Sequence, residues 1–184
     1  MYKNLKVFQM NYKEVKKDFY YLFHPKVTFL LTTRSKDGKD NVMSVAWITP
    51  ISEQPPKIGM SVWAESLSAN NIKETKEFVL NIPSIELKNQ VWICGTNSGR
   101  KIDKFKKANL TKENSYIVNV PRIKECIGHI ECKLENFLSI GECYFFIADV
   151  VYAQVASDFF DGFWIKDALL LHLAKKNFVS FKKV

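Results

Sequence analysis

The chain has 184 residues, of which 47% are hydrophobic and 14% aromatic, and it carries a formal net charge of +8. This length suffices for one domain with a substantial core, and the apolar content excludes an intrinsically disordered protein. No run approaches the ~20 apolar residues of a membrane span, and the N-terminus lacks the apolar stretch of a signal peptide. We therefore predict a single cytoplasmic domain over residues 1–184.

The first third of the chain is predicted to contain one helix and three strands. Apolar residues at helical spacing predict a helix over 12–23 that ends before Pro25 and covers one end of the core. β-Branched and aromatic residues then predict a hairpin of strands 26–34 and 41–52 around the turn Asp37-Gly38, followed by a strand over 57–63. Because these strands are adjacent in sequence, we expect them to pair antiparallel.

The stretch 61–83 changes from strand to polar loop, to helix and back to strand. Ser68 is the predicted N-cap of a helix over 69–76, and a strand over 78–82 follows. A helix start with free N–H groups, preceded by the hydroxyls of Ser66 and Ser68, is typical of an anion site, and phosphate is its usual occupant. From this loop alone, a simple cap on a surface helix is the commoner explanation.

A second loop before a helix has similar chemistry. A helix over 85–94 is predicted to begin at Ser84 and to end at Gly95, and a basic helix over 100–108 follows with Ile102 and Phe105 facing inward. The loop between them contains Thr96 and Ser98, and the cations Arg100, Lys101 and Lys104 come directly after it. Two such junctions suit a ligand that has a phosphate and a polar chain.

The C-terminal part is predicted to be almost entirely strand, over 116–120, 126–138, 143–156 and 169–181, with a turn at Gly141. Six or seven strands with few helices favour a closed barrel, which avoids exposed sheet edges. Cys126, His129 and Cys132 do not form a predicted metal site. In a strand the two cysteines share a face but lie roughly 20 Å apart, and the histidine points to the other face.

The sequence contains no nucleotide-binding glycine motif, Walker loop or nucleophile elbow, and His24, His129 and His172 are interpreted as capping or core residues. We assign no catalytic side chain, so a cofactor would supply the reactivity. The net charge permits a nucleic-acid-binding barrel as an alternative. However, the lysines are dispersed over 13–17, 100–107 and 175–183, and a basic mouth for a phosphorylated small ligand accounts for the charge equally well.

Several short motifs together resemble the flavin reductase-like family, and most closely its flavoredoxin-type FMN-binding proteins. In chain order they are Val42-Met43-Ser44-Val45-Ala46-Trp47, Ser68-x-x-Asn71-Ile72, Glu77-Phe78-Val79-Leu80-Asn81, Asp103-Lys104-Phe105, Ile130-Glu131-Cys132 and Leu170-Leu171-His172-Leu173. Each motif is weak alone, but the set has the expected order over roughly residues 25–178.

The resemblance implies a mainly β fold, an FMN-binding split β-barrel with Greek-key-like character and a few peripheral helices, assembled as a homodimer. It also implies non-covalent FMN and NADH or NADPH as electron donor. By matching motif positions, Asn41, Trp47 and the backbone of Val45 and Ala46 would contact the flavin ring, and Phe178 would cover it. Ser66, Ser68 and Ser98 would bind the phosphate or ribityl chain, and Lys104 would place positive charge beside the flavin.

The resemblance leaves the exact activity open. The leading hypothesis is an oxidoreductase that passes electrons from NADH or NADPH through FMN to free flavin, a metal chelate or a protein acceptor. The alternatives are a non-catalytic FMN electron carrier and, from another class, the nucleic-acid-binding barrel. Cys143 stands where the family often has a histidine, which bears on the donor site.

Overall fold

The computed structural model describes residues 10–181. Residues 1–9 lie outside the described residues, and so do Lys182 and Lys183. The prediction that the N-terminus lacks a signal peptide concerns the first of these segments. Among the described residues, no helix has both the length and the apolar character needed to cross a membrane.

Twelve strands and three α-helices make up the described chain. The strands are β1 (Lys26–Val27), β2 (Phe29–Arg34), β3 (Asp40–Val45), β4 (Ile48–Ser52), β5 (Lys57–Trp63), β6 (Glu77–Ile82), β7 (Lys112–Glu113), β8 (Arg122–Ile123), β9 (Gly128–Ile140), β10 (Cys143–Val155), β11 (Leu171–Ala174) and β12 (Asn177–Val179). The helices are α1 (Leu67–Thr75), α2 (Lys88–Thr96) and α3 (Lys104–Ala108), and short 3₁₀ turns cover Phe19–Phe23 and Ile85–Leu87.

Seven strands form one antiparallel sheet in the order β3-β2-β6-β9-β10-β5-β4. Its edge strands, β3 and β4, are consecutive in the chain and are joined by Ala46 and Trp47, which belong to neither strand. The predicted strand over 41–52 is therefore two strands at opposite edges of a curled sheet. This arrangement confirms the mainly β split barrel with few helices, and no ladder between β3 and β4 closes it within residues 10–181.

The inside of the curled sheet is the main core. Leu31, Met60, Phe78, Leu80 and Phe146 point into it and are completely buried. Strands β2 and β3 are also covered on their outer face, where buried side chains of α2 and α3 pack on them; this second cluster includes Leu30, Val42, Val91, Cys94 and Phe105. Burial on both faces fixes β3 firmly, and the cavities described below open along that strand.

The N-terminal helix prediction is wrong for most of its length. Only Phe19–Phe23 form a 3₁₀ turn, which begins after Asp18 in the left-handed conformation (φ 59°). Phe19, Leu22 and Phe23 are 62–73% exposed, so the turn does not bury them in the core. The apolar spacing is present, but no part of residues 10–181 covers that face.

The predicted strand over 116–120 is also wrong, because a buried carboxylate organises this segment as a series of bends. Glu131 is completely buried in β9 and accepts hydrogen bonds from the backbone N–H groups of Tyr116, Ile117 and Val118 at 2.8, 2.7 and 3.1 Å. These bonds satisfy amides that a strand ladder would otherwise pair.

The predicted C-terminal strand over 169–181 is a hairpin of two short strands. Lys175 adopts the left-handed conformation (φ 51°) between β11 and β12, which turns the chain back on itself. Strand β1 pairs with β11, and the three strands form a small separate sheet. The Gly141 turn between β9 and β10 is confirmed, with φ 57°.

Two helix boundaries also differ from the prediction. Helix α2 continues through Gly95 to Thr96, so Gly95 does not end the helix. At the other end, the side chain of Ser84 makes no capping hydrogen bond. Helix α3 begins at Lys104 instead of Arg100, because the carboxylate of Asp103 accepts from the N–H of Lys106 and is the N-cap.

Candidate functional site

Two cavities open along β3, one at each end of the strand. The aromatic cavity, of about 360 Å³, is lined by Tyr21, Thr28, Ser44, Val45, Ala46, Trp47, Val91, Trp92, Gly95, Thr96, His172, Lys175 and Phe178. The basic cavity, of about 800 Å³, is lined by Ser35, Asp37, Gly38, Lys39, Asp40, Asn41, Leu67, Asn71, Gly99, Arg100, Lys101, Ile102, Asp103, Lys104 and Lys112. From Asn41 to Val45 an extended strand spans about 13 Å, so one elongated ligand could reach both.

Three elements form the aromatic cavity. The end of β3 and the following Trp47 make one wall, the small sheet contributes Phe178 opposite, and α2 covers both with Trp92. The ring of Trp47 packs against Tyr20 of the 3₁₀ turn, with centroids 5.6 Å apart. The cavity thus offers several ring faces to a planar ligand.

Helix α2 approaches β3 closely at Gly95. A Cβ at this position would lie 3.3 Å from the Cβ of Ser44, so a larger residue would require the helix or Ser44 to shift by a few tenths of an ångström. The Ser44 hydroxyl donates to the carbonyl of Val91 on the same helix. Ser44 therefore lines the cavity but uses its hydroxyl to hold α2 in place.

The small sheet is fixed by two histidines at the edge of the cavity. The Nδ1 of His24 donates to the carbonyl of His172 at 2.8 Å, and the Nε2 of His172 donates to the carbonyl of Lys175 at 3.1 Å. Burial lowers the pKa of His172, and the neighbouring His24 lowers it further. His129 is buried elsewhere and donates to the carbonyl of Ile123. All three imidazoles hold backbone groups, as the sequence interpretation expected.

The basic cavity contains one buried ammonium. Lys104 is 5% exposed, and its Nζ donates to the carbonyl of Cys94 at 3.1 Å. Burial lowers the pKa of Lys104 to about 8 and raises that of the Cys94 thiol to about 11. An ammonium has three donors, and no carboxylate pairs with Lys104 within residues 10–181. A buried, unpaired cation is costly, and an anionic ligand would offset that cost.

Three other cations of this lining have partners, and a fourth, Lys101, is exposed to solvent. Lys39 pairs with Asp37 at 2.9 Å, Lys112 pairs with Asp40 at 3.0 Å, and Arg100 donates to the carbonyl of Glu65 at 2.8 Å. Lys104 differs from these cations because it is buried away from water and has no carboxylate partner within residues 10–181.

The predicted serines lie beside the basic cavity without lining it. Ser66, and not Ser68, is the N-cap of α1, since its Oγ accepts from the N–H of Ala69 at 3.0 Å. Ser68 is completely buried inside α1, and its Oγ accepts from the Nδ2 of Asn41 at 2.9 Å. Ser98 is exposed, and its Oγ accepts from the N–H of Arg100 at 3.3 Å.

Asn41 is held between α1 and the loop after α2. A Cβ on Gly99 would lie 2.0 Å from the Oδ1 of Asn41, so only glycine allows this approach. The structure thus groups Val45, Ala46, Trp47 and Phe178 in the aromatic cavity and Asn41 with Lys104 in the basic cavity. Ser68 contacts the lining of the basic cavity through its hydrogen bond with Asn41.

Sequence reasoning missed Thr28, Trp92 and Lys175 in the aromatic cavity. Trp92 lies on the helix face that also contains Gly95, and this spacing was a usable signal. Thr28 and Lys175 reach the cavity only because β1 pairs with β11, and no local pattern predicts that pairing.

No group of three or more His, Cys, Asp or Glu side chains that could hold a metal ion occurs between residues 10 and 181. Cys126 and Cys132 are free and buried, and burial raises the pKa of both thiols.

Comparisons with known proteins agree with this geometry. The sequence profile of the flavin reductase like domain matches residues 21–177. An uncharacterized protein of Archaeoglobus fulgidus is 35% identical over 139 residues, which are 76% of this chain and 77% of that protein. The fold is similar to that of an FMN-binding protein from Thermus thermophilus, with a TM-score of 0.82 and 20% identity over 94% of this chain and 95% of that one. A flavoredoxin from Methanosarcina acetivorans also has a TM-score of 0.82, with 23% identity and coverage of 95% and 93%.

Proposed function

The chain belongs to the flavin reductase-like domain family, and we propose that it binds FMN non-covalently along β3 and acts as a flavin-dependent oxidoreductase. One observation carries the proposal: an aromatic cavity and a basic cavity with a buried ammonium lie at the two ends of one strand. FMN has a planar ring at one end and a phosphate at the other, and the two cavities differ in the same way.

In this proposal the aromatic cavity holds the ring. The indole of Trp47 and the ring of Phe178 offer faces to it, and the backbone of Val45 and Ala46 contributes polar groups at its edge. Lys175 is the lining residue with a full positive charge. It would stabilise the negative charge that the ring gains on reduction, a role that the sequence analysis gave to Lys104.

The basic cavity holds the polar chain and the phosphate. Lys104 would bind the phosphate, with Lys101 at the rim, and the bound anion would compensate the buried ammonium. Asn41, which the family resemblance placed at the ring, lies in this cavity and would contact the polar chain. Ser68 would orient the Asn41 amide through its hydrogen bond.

When bound, FMN would take up hydride from NADH or NADPH and deliver the electrons to an acceptor. The protein's own contribution is to position the ring, to exclude water with apolar walls and to supply charge at the rim.

The test is an anaerobic visible spectrum of the purified protein loaded with FMN, recorded before and after NADH and then NADPH are added. We expect the flavin to stay bound during desalting and to bleach with one of the two donors. A protein that does not retain FMN would refute the proposal. Nucleic-acid binding that falls steeply with salt would then favour the basic-barrel alternative.

A non-catalytic electron carrier is the second candidate, and the position of Cys143 favours keeping it. Cys143 begins β10 opposite Trp63 and Ile140, and it lines neither cavity. At this position the chain has a thiol instead of the family histidine, so no imidazole is available there to orient a nicotinamide. Retained flavin that bleaches only with dithionite would identify a carrier, and a Cys143→His variant that gains NADH-dependent bleaching would explain the difference.

We also propose that the protein is a homodimer. An apolar groove of about 290 Å³, lined by Phe19, Tyr20, Phe23, Lys26, Trp47, Ile48, Thr49, Gly59, Ser61 and Phe145, lies beside the aromatic cavity. Three of its lining residues, Phe19, Phe23 and Trp47, are large apolar side chains that are exposed, and apolar surface of this kind is typical of association sites. Light scattering coupled to gel filtration should give twice the chain mass of 21.3 kDa, and a Phe23→Glu variant should give the monomer mass.

A further inference from the structure

The wall of the aromatic cavity next to the small sheet contains a buried hydroxyl without a partner. Thr28 is 3% exposed and lines the cavity, and its Oγ1 makes no hydrogen bond within the described part of the chain. The residue itself is well fixed, because its backbone N–H donates to the carbonyl of Leu170 at 3.0 Å. Buried hydroxyls are nearly always hydrogen-bonded, so we expect a group outside the chain to form a hydrogen bond with this hydroxyl.

Comparable hydroxyls nearby are satisfied by the protein. The Oγ1 of Thr32 donates to the carbonyl of Pro121 at 2.7 Å, and the Oγ1 of Thr33 accepts from the Nδ2 of Asn71 at 3.1 Å. Ser44, which lines the same cavity, donates to Val91. The unsatisfied hydroxyl is thus the buried Oγ1 of Thr28, a residue between β1 and β2 that contributes to the cavity lining.

We infer that the Thr28 hydroxyl binds the polar edge of a planar heteroaromatic ligand in the aromatic cavity. The identity of that ligand rests on the proposed function, in which it is the isoalloxazine ring of FMN. Trp47 and Phe178 offer ring faces, which attract any flat molecule of suitable size. A hydroxyl can donate to a ring nitrogen or carbonyl and can accept from a ring N–H. Thr28 therefore favours a heteroaromatic ring over a hydrocarbon ring of equal size.

The experiment is a Thr28→Val substitution, which keeps the branched shape and removes the hydroxyl. We expect the dissociation constant for FMN, measured by fluorescence titration of the apoprotein, to rise roughly tenfold, because a ring atom loses its partner. The unfolding temperature of the apoprotein should stay the same or rise, because the hydroxyl has no partner in the chain to lose. Thr28→Ser should bind FMN close to the parental affinity.

Thr32→Val is the matched control, since it removes a hydroxyl that the protein already bonds. It should lower the unfolding temperature of the apoprotein and leave the FMN dissociation constant within about twofold of the parental value. The two threonines thus predict opposite patterns of stability and binding.

The outcomes separate this inference from the proposed function. If the parent binds FMN and Thr28→Val binds it equally well, the hydroxyl is completed by a water molecule and the inference fails while the proposed function stands. A marked loss of apoprotein stability in Thr28→Val would also overturn it, because the hydroxyl would then have a structural role. If the parent does not bind FMN, the proposed function fails and the inference fails with it.

Discussion

The two cavities at the ends of β3 differ in the kind of contact that each offers to a ligand. Many apolar residues from three elements form the lining of the aromatic cavity, so each side chain contributes a modest part of the contact with a ligand. The basic cavity contains one buried ammonium, Lys104, whose single hydrogen bond in the described chain is to the carbonyl of Cys94. Binding energy that is spread over many contacts tolerates a substitution, whereas a buried charge and its partner depend on each other. We therefore expect the largest effects in the basic cavity.

The substitution Lys104→Met should have the largest effect. Loss of the ammonium leaves the phosphate without its buried partner, and we expect the FMN dissociation constant to rise about 100-fold. Riboflavin, which has the same ring and no phosphate, should bind equally well to variant and parent. Titration of both ligands by fluorescence measures the difference.

The matched control for that variant is Lys101→Met, because Lys101 lines the same cavity but is exposed. It should change FMN binding by less than about threefold. The Lys104→Met apoprotein should also be more stable at pH 7 by about 1 kcal/mol, since a buried unpaired charge is removed. Equal loss of FMN and riboflavin binding would contradict the assignment of Lys104 to the phosphate.

The pH dependence of binding should follow the same lysine. Burial lowers the pKa of Lys104 to about 8 in the apoprotein, and a bound anion would raise it again. FMN affinity that depends on the ammonium is thus complete below pH 8 and falls as the pH rises above it, by up to about tenfold per pH unit. FMN titrations between pH 7 and 10 should show this fall in the parent and not in Lys104→Met.

The stability of the apoprotein should change in the opposite direction over the same range. The unfolded chain keeps its lysine protonated up to the ordinary pKa of 10.5, so between pH 8 and 10.5 it binds more protons than the folded protein. The contribution of Lys104 therefore makes the apoprotein more stable as the pH rises. Denaturant melts at each pH give the free energy of unfolding of the parent and of Lys104→Met, and their difference isolates the contribution of Lys104. A difference that stays constant with pH would contradict the lowered pKa.

Trp47→Ala should have an intermediate effect. Loss of one large ring face should raise the dissociation constants of FMN and riboflavin by the same factor, about tenfold. Trp63→Ala is the control, because Trp63 is another exposed tryptophan that lines neither cavity. If Trp47→Ala retains FMN fully, Trp47 is not part of the ring site.

Lys175→Gln should have the smallest effect and should act on the reduction potential of bound FMN. Loss of a rim cation makes the reduced ring less favourable, and we expect the two-electron potential to fall by about 10–20 mV. Lys176→Gln is the matched control, because its ammonium lies over the Trp92 ring and is not part of the cavity lining. A larger fall in Lys104→Met than in Lys175→Gln would restore the original assignment of the ring charge to Lys104.

The sequence predicted several strands of the main sheet because alternation and turn residues are local signals, and it predicted the family because short motifs occur in the expected order. Strands 57–63 and 78–82, and the hairpin around Gly141, lie close to their predicted positions. The helix over 12–23 failed because apolar periodicity predicts a helix only where another surface buries its face, and residues 10–181 provide none there. The segment 116–120 failed because the capture of its amides by Glu131 is a long-range contact.

The candidate site shows the same limit of local signals. The family motifs located Val45, Ala46 and Trp47 at one end of β3 and Asn41 at the other, but they did not separate the two ends into different chemical environments. The cap of α1 was placed two residues too late, because several serines in one loop satisfy the same local rule. Thr28 and Lys175 depend on the pairing of distant strands and could not be predicted from neighbouring residues.

Trp47 lines both the aromatic cavity and the apolar groove proposed as the contact surface of a second copy. A shared indole links the two events thermodynamically. If a bound ring changes the subunit association constant by some factor, subunit association must change the binding constant of the ring by the same factor. The protein concentration would then set the apparent flavin affinity, and the intrinsic fluorescence of one residue would report both equilibria. Cofactor loading and subunit assembly would consequently be a single coupled titration, because the same side chain belongs to both sites.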